Sequence, residues 1–259
     1  MPKVEVNGAR LFYTLSGKTD APVLMMSNSL GTTLDMWKPQ LAAMESKFHL
    51  LRYDMRGHGN SDLVQEACSI STLGHDVLAL LDELRIDKVH FCGLSVGGVI
   101  GQWLGANAPE RLRSLVLSNT AAKIGTPETW NKRIADVEQH GLASITEAVL
   151  ERWFTPAFRL ASPDAVAPFR AMLHASNPRG YTLVCAALRD MDQRKLVEEI
   201  RVPTCVIAGE HDPTTTLEDA KFLQARISGA TLVPLPAAHI SNVEAAAQFN
   251  QAVIDFLFS

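Results

Sequence analysis

The chain predicts an α/β fold: a mostly parallel, eight-stranded sheet flanked by helices, with an inserted helical cap. Three observations predict it. Short apolar runs of strand length alternate with helix-period segments along most of the chain. The region 122–189 breaks that alternation with helix patterns alone. The composition, 47% hydrophobic and 20% charged over 259 residues, suits one large globular domain carrying an insertion.

Residues 4–6 and 11–14 read as strands flanking Asn7-Gly8, a dipeptide that favours a tight hairpin, so this first pair is antiparallel. Residues 22–27 and 49–53 are buried strands. Leu73, Val77, Leu80, Leu81 and Leu84 recur at helical spacing, which predicts an amphipathic helix over 71–85. Residues 89–92 and 112–117 are the next strands, with a helix between them. Thr126-Pro127-Glu128 reads as a helix start: a cap residue, a proline in the first turn, and an acid near the positive dipole end. Gly141, Pro156, Pro163, Pro168 and Pro178 then punctuate further short helices. Strands at 205–208 and 232–235 complete the eight. Ser241-Asn242-Val243-Glu244 has the spacing of a capping box and opens a final helix running toward Phe256. The expected organisation is a core of 1–121 and 190–259 and a helical cap of 122–189.

Composition narrows the partners. The net charge is −4 and no basic run carries interleaved aromatics, so no nucleic acid is expected. No apolar stretch has membrane-spanning length, so no membrane partner is expected either. Met1 to Val6 enter a strand pattern with no apolar signal core, which predicts the cytoplasm. Cys68, Cys92, Cys185 and Cys205 fall at no metal-ligand spacing. Cys92 and Cys205 read as small core residues, and His90 and His174 have no nearby ligand set. No metal or organic cofactor is implied.

The chemistry begins at Gly93-Leu94-Ser95-Val96-Gly97. A serine between two glycines at a strand-to-helix junction is a nucleophile elbow. The turn lifts the hydroxyl out of the sheet and aims the Val96 N–H at whatever Ser95 attacks. A serine hydroxyl needs a base, and the base needs an acid to fix its tautomer. Asp212, in Ala208-Gly209-Glu210-His211-Asp212-Pro213, is the candidate acid, with Glu210 its nearest rival. His239, in Pro236-Ala237-Ala238-His239-Ile240-Ser241-Asn242, is the candidate base. Each follows a predicted strand. The loop Ser27-Asn28-Ser29-Leu30-Gly31-Thr32 supplies the second oxyanion donor, assigned to the Leu30 N–H beside that of Val96.

The order serine, acid, histidine is that of the α/β-hydrolase superfamily, which the chain resembles over essentially its full length. Asp54-Met55-Arg56-Gly57-His58-Gly59-Asn60-Ser61 matches that superfamily's Asp-x-Arg-Gly-His-Gly-x-Ser loop, a structural element, so His58 is not the base. Within the superfamily, segments 27–32, 93–98 and 238–244 are similar to the 3-oxoadipate enol-lactonases, as are 130–134 and 151–156. The Asn-Ser-Leu-Gly loop in place of His-Gly is the most discriminating of these. The resemblance implies hydrolysis of a small acidic lactone carrying an acetate arm, through an acyl-serine.

A net-acidic protein that binds an acid needs a local cation. The cap offers Arg133, Arg152, Arg159, Arg170, Arg179 and Arg189. Arg133 is preferred, because Trp130 precedes it by three residues on the same helix face, and Trp153 is the second cap choice. Two alternatives stay open. One is a general carboxylesterase, or a carbon–carbon bond hydrolase of ring-fission products, using the same triad. The other is a ligand receptor on the same fold.

Overall fold

The computed structural model describes residues 2–258; Met1 and Ser259, the ends of the expected core, lie outside the described residues. The strands are β1 (Lys3–Val6), β2 (Ala9–Gly17), β3 (Val23–Ser27), β4 (His49–Tyr53), β5 (Val89–Leu94), β6 (Leu112–Ser118), β7 (Thr204–Gly209) and β8 (Thr231–Leu235). They form one sheet in the order β1-β2-β4-β3-β5-β6-β7-β8. β2 pairs antiparallel with both β1 and β4, and every later pairing is parallel. The hairpin turn works as its residues require: Asn7 and Gly8 both take positive φ, 45° and 75°, the twist that matches the flanking strands. β7 is buried along its whole length and β5 at every position but His90, as parallel strands covered on both faces must be.

The core helices are α1 (Lys38–Met44), α2 (Ile70–Glu83) and α3 (Val96–Asn107), with α9 (Leu217–Arg226), α10 (Ser241–Glu244) and α11 (Ala246–Leu257) after β7. α2 packs on α3 and α1 on α11. Between β6 and β7 lie five α-helices: α4 (Pro127–His140), α5 (Ala143–Trp153), α6 (Pro156–Ala161), α7 (Pro163–Ala175) and α8 (Pro178–Asp190). Thr126 does begin α4, closing a capping box with Thr129 and placing Pro127 in the first turn.

Two local expectations fail. Pro168 does not separate helices; it sits inside α7. In the second turn its missing N–H frees only the Asp164 carbonyl, near the helix start, so the helix survives. The final helix is not one piece capped by Ser241. α10 and α11 are divided at Ala245, whose φ and ψ are −120° and 45°. The capping box does not form because both side chains are committed elsewhere. Ser241 Oγ donates to Asn119 Oδ1 at 2.5 Å, and the Glu244 carboxylate accepts the Ala238 N–H at 3.0 Å and the Thr155 hydroxyl.

Candidate active site

The C-terminal ends of β3, β5, β6, β7 and β8 deliver the polar residues to one edge of the sheet, where parallel sheets gather their chemistry. Ser95 follows β5 directly, with φ 59° and ψ −117°. That is a strained conformation for a residue with a Cβ, and four hydrogen bonds hold the turn. The Ser95 N–H donates to Ser118 O at 3.0 Å, the Val99 N–H to Ser95 O at 3.0 Å and the Gly97 N–H to Asn28 O at 3.1 Å. The Thr120 hydroxyl donates to Ser95 O at 2.8 Å. The glycines follow from space. A Cβ on Gly93 would lie 2.2 Å from Gly97 O, and one on Gly97 2.2 Å from Ser27 O.

Asp212, in the loop after β7, meets His239, in the loop after β8: His239 Nδ1 and Asp212 Oδ2 are 2.7 Å apart. The same oxygen accepts the Thr215 hydroxyl at 2.7 Å and the Asn119 amide at 3.1 Å. Oδ1 accepts the N–H groups of Thr214 and Thr215 at 2.8 and 3.1 Å. Burial alone would raise the Asp212 carboxyl. The His239 charge and the hydrogen bonds from His239, Thr215 and Asn119 outweigh it and hold the group below its ordinary value. The carboxylate therefore stays ionised and leaves His239 Nε2 as the nitrogen that can serve Ser95. Ser95 and His239 line one cavity, and among the described residues no hydrogen bond joins them. Rival groups are elsewhere. Glu210 is exposed. His58 is buried in the loop after β4 with Nδ1 against Arg56 O.

The loop after β3 is braced by its side chains. Asn28 donates to Tyr53 O and accepts the Trp37 indole N–H, both at 2.8 Å, so Asn28 is a strut rather than a reacting group. Leu30 also lines the cavity, and its N–H meets no protein acceptor among the described residues. Val96 is the first residue of α3, so its N–H has no helical carbonyl to meet. Two free N–H groups flanking a nucleophile can hold a developing oxyanion.

The insertion supplies the other wall of the cavity: Trp130, Arg133, Val149, Arg152, Trp153, Tyr181 and Leu188. Arg133 lies over the Trp130 ring, its Cζ 5.0 Å from the centroid. The Trp130 N–H is anchored on Ile124 O at 2.6 Å. Trp153 both lines the cavity and packs edge-on against Phe169. The cap arginines now separate. Arg159, Arg170, Arg179 and Arg189 face Glu151, Glu147, Glu138 and Asp190 respectively. Arg133 and Arg152 face no carboxylate among the described residues. Burial, and then the Arg133 charge, pull Arg152 below its ordinary value, and the smaller opposing effects of Tyr181 and Glu151 do not offset them.

Sequence reasoning missed Asn119 and Thr215 and placed Arg152 only among the candidates. A polar residue directly after the apolar run of β6 was the available signal for Asn119. The pairing that singles out Arg152 is tertiary.

Residues 22–246 match the family described as alpha/beta hydrolase fold. The chain is 44% identical over 243 residues to 3-oxoadipate enol-lactonase 2 of Acinetobacter baylyi, spanning 94% of this chain and 91% of that one. It is 38% identical over 252 residues to 3-oxoadipate enol-lactonase 1 of the same organism, spanning 97% and 94%. The crystal structure of the enol-lactonase from Burkholderia xenovorans LB400 superposes with a TM-score of 0.98 at 41% identity, covering 100% of both chains.

Proposed function

The chain belongs to the α/β-hydrolase family, and from that premise we propose that it opens 3-oxoadipate enol-lactone to 3-oxoadipate in the cytoplasm through an acyl-serine intermediate. Ser95 Oγ attacks the lactone carbonyl while His239 Nε2 takes its proton, and Asp212 steadies the imidazolium. The Leu30 and Val96 N–H groups hold the oxyanion. Collapse breaks the ring C–O bond and expels an enolate, which His239 protonates. The enol then becomes a ketone, which removes it from the reverse reaction. Water deprotonated by His239 cleaves the acyl-serine and restores Ser95. The core of 1–121 and 190–259 carries this machinery, and the cap of 122–189 selects the substrate.

The observation that carries the substrate class is the unpaired couple Arg133 and Arg152 in the cavity that Ser95 and His239 line. A carboxylate arm fits two guanidinium groups; a neutral ester would leave both charges uncompensated. Trp130 holds Arg133 in place, and Trp153 walls the ring. Loss of the lactone's ultraviolet absorbance should be fast with wild type and abolished by Ser95→Ala. Arg133→Met and Arg152→Met should each raise KM roughly tenfold or more, the scale of one charge-assisted hydrogen bond, with little effect on p-nitrophenyl acetate. A wild-type enzyme that cleaves neutral esters but leaves the lactone intact would instead be a general carboxylesterase.

A further inference from the structure

We propose that the Ser29 hydroxyl is a third oxyanion donor, acting beside the Leu30 and Val96 N–H groups. The inference rests on the acyl-serine reading of the site and adds a catalytic residue to it.

Ser29 is 1% exposed, and it lines the same cavity as Ser95 and His239. Its neighbours in the loop have all spent their hydroxyls. Ser27 Oγ pairs with the Tyr53 hydroxyl at 2.9 Å. Thr32 Oγ1 donates to Ser29 O at 2.8 Å, and Thr33 Oγ1 accepts the Asp35 N–H at 3.3 Å. Ser29 Oγ alone in this loop has no protein partner among the described residues. The hydroxyl is not sealed in the core; it belongs to a residue that lines the cavity, where a ligand oxygen can serve as its acceptor.

The backbone of Ser29 is fixed on both sides. Its N–H points at Met36 Sδ at 3.3 Å, and its carbonyl accepts both the N–H and the hydroxyl of Thr32. The hydroxyl belongs to the residue directly before Leu30, and both residues line the cavity of Ser95. This is a preorganised donor whose partner gains charge during the reaction, so its effect belongs to the transition state rather than to substrate binding.

The test uses Ser29→Ala and Ser29→Gly, assayed on both the enol-lactone and p-nitrophenyl acetate. Each variant should lower kcat about 10- to 100-fold on both substrates, with KM changed less than about twofold. Inhibition by phenylboronic acid, which adds to Ser95 and places a tetrahedral oxygen in the oxyanion site, should weaken by a similar factor. A loss confined to the lactone would make Ser29 a substrate contact and overturn the proposal, as would kcat unchanged on both substrates or unaltered boronate inhibition. If wild type leaves the lactone intact but cleaves the ester, the substrate reading fails and the ester and boronate results still decide Ser29. Wild type inert on both substrates would overturn both readings.

Discussion

Asn119 shows how much of the candidate site is held together by a residue that does not line its cavity. It stands at the end of β6 with φ 43°, and its amide donates to Asp212 Oδ2 and to Ala238 O, each at 3.1 Å. One side chain thus ties the acid's loop to the residue before the base. Its own oxygen accepts from Ser118 and Ser241, which fixes the amide orientation. Asn119→Leu removes a donor from the oxygen that His239 uses. The Asp212 charge becomes less satisfied and holds the imidazolium proton more tightly. We expect kcat to fall roughly tenfold or more, the cost of a hydrogen bond to a charged group. The acid limb of the kcat/KM profile should move to higher pH, with KM little changed. A lower rate with an unmoved acid limb would reduce Asn119 to packing. The convergence of Ser95, Asp212 and His239 was legible because each follows an apolar run, and parallel strands bring such ends to one edge. Asn119 offered no more than its place after an apolar run, and Arg152 was one cap arginine among several. The first depends on two loops meeting, and the second on which acids the neighbouring helices turn toward the other arginines.

Elements reveal the same division. The Asn7-Gly8 hairpin and the Thr126 start of α4 follow from local chemistry and were readable. The break between α10 and α11 was not, since Ser241 and Glu244 are consumed by tertiary partners that no local pattern displays. The seat of α8 on the core is another such contact. Gly180 in its first turn meets Gly57 backbone to backbone, and a Cβ on Gly180 would lie 2.1 Å from Gly57 O. This contact sets the position of α8 and therefore of Tyr181 and Leu188 in the cavity wall. Gly180→Ala should push α8 outward, destabilising the fold by about 1–3 kcal/mol and raising KM for the acidic lactone. Turnover of p-nitrophenyl acetate should persist, because Ser95, Asp212 and His239 lie on other elements. Thermal melts with paired assays check this, and loss of both activities in a well-folded variant would count against it.

On the scale of the whole molecule, the loop beneath α8 also holds two buried titratable groups whose effects on stability oppose each other. Asp54 braces the loop, accepting the Leu34 N–H at 2.7 Å and the Asn60 N–H at 2.9 Å. Burial nonetheless pushes its carboxyl up from 3.8 to about 6. His58 is buried with Nε2 unpartnered, and burial pulls its ring down from 6.5 to about 4. The fold favours the protonated acid, so the Asp54 contribution is complete below 3.8 and lost as pH rises through about 6. The fold also favours the neutral ring, so the His58 contribution is present above 6.5 and lost as pH falls through about 4. Each is worth up to about 3 kcal/mol at 1.36 kcal/mol per pKa unit. Between these limits the two slopes have opposite sign and comparable size, so together they flatten the wild-type stability profile. Asp54→Asn leaves the histidine slope alone, and stability should fall on acidification from about pH 6.5 to 4.5. His58→Gln leaves the carboxyl slope alone, and stability should rise over the same interval. Urea midpoints across that range, read for wild type and both variants, decide the matter. The cancellation is refuted if the two variants slope the same way, or if wild type slopes as steeply as either.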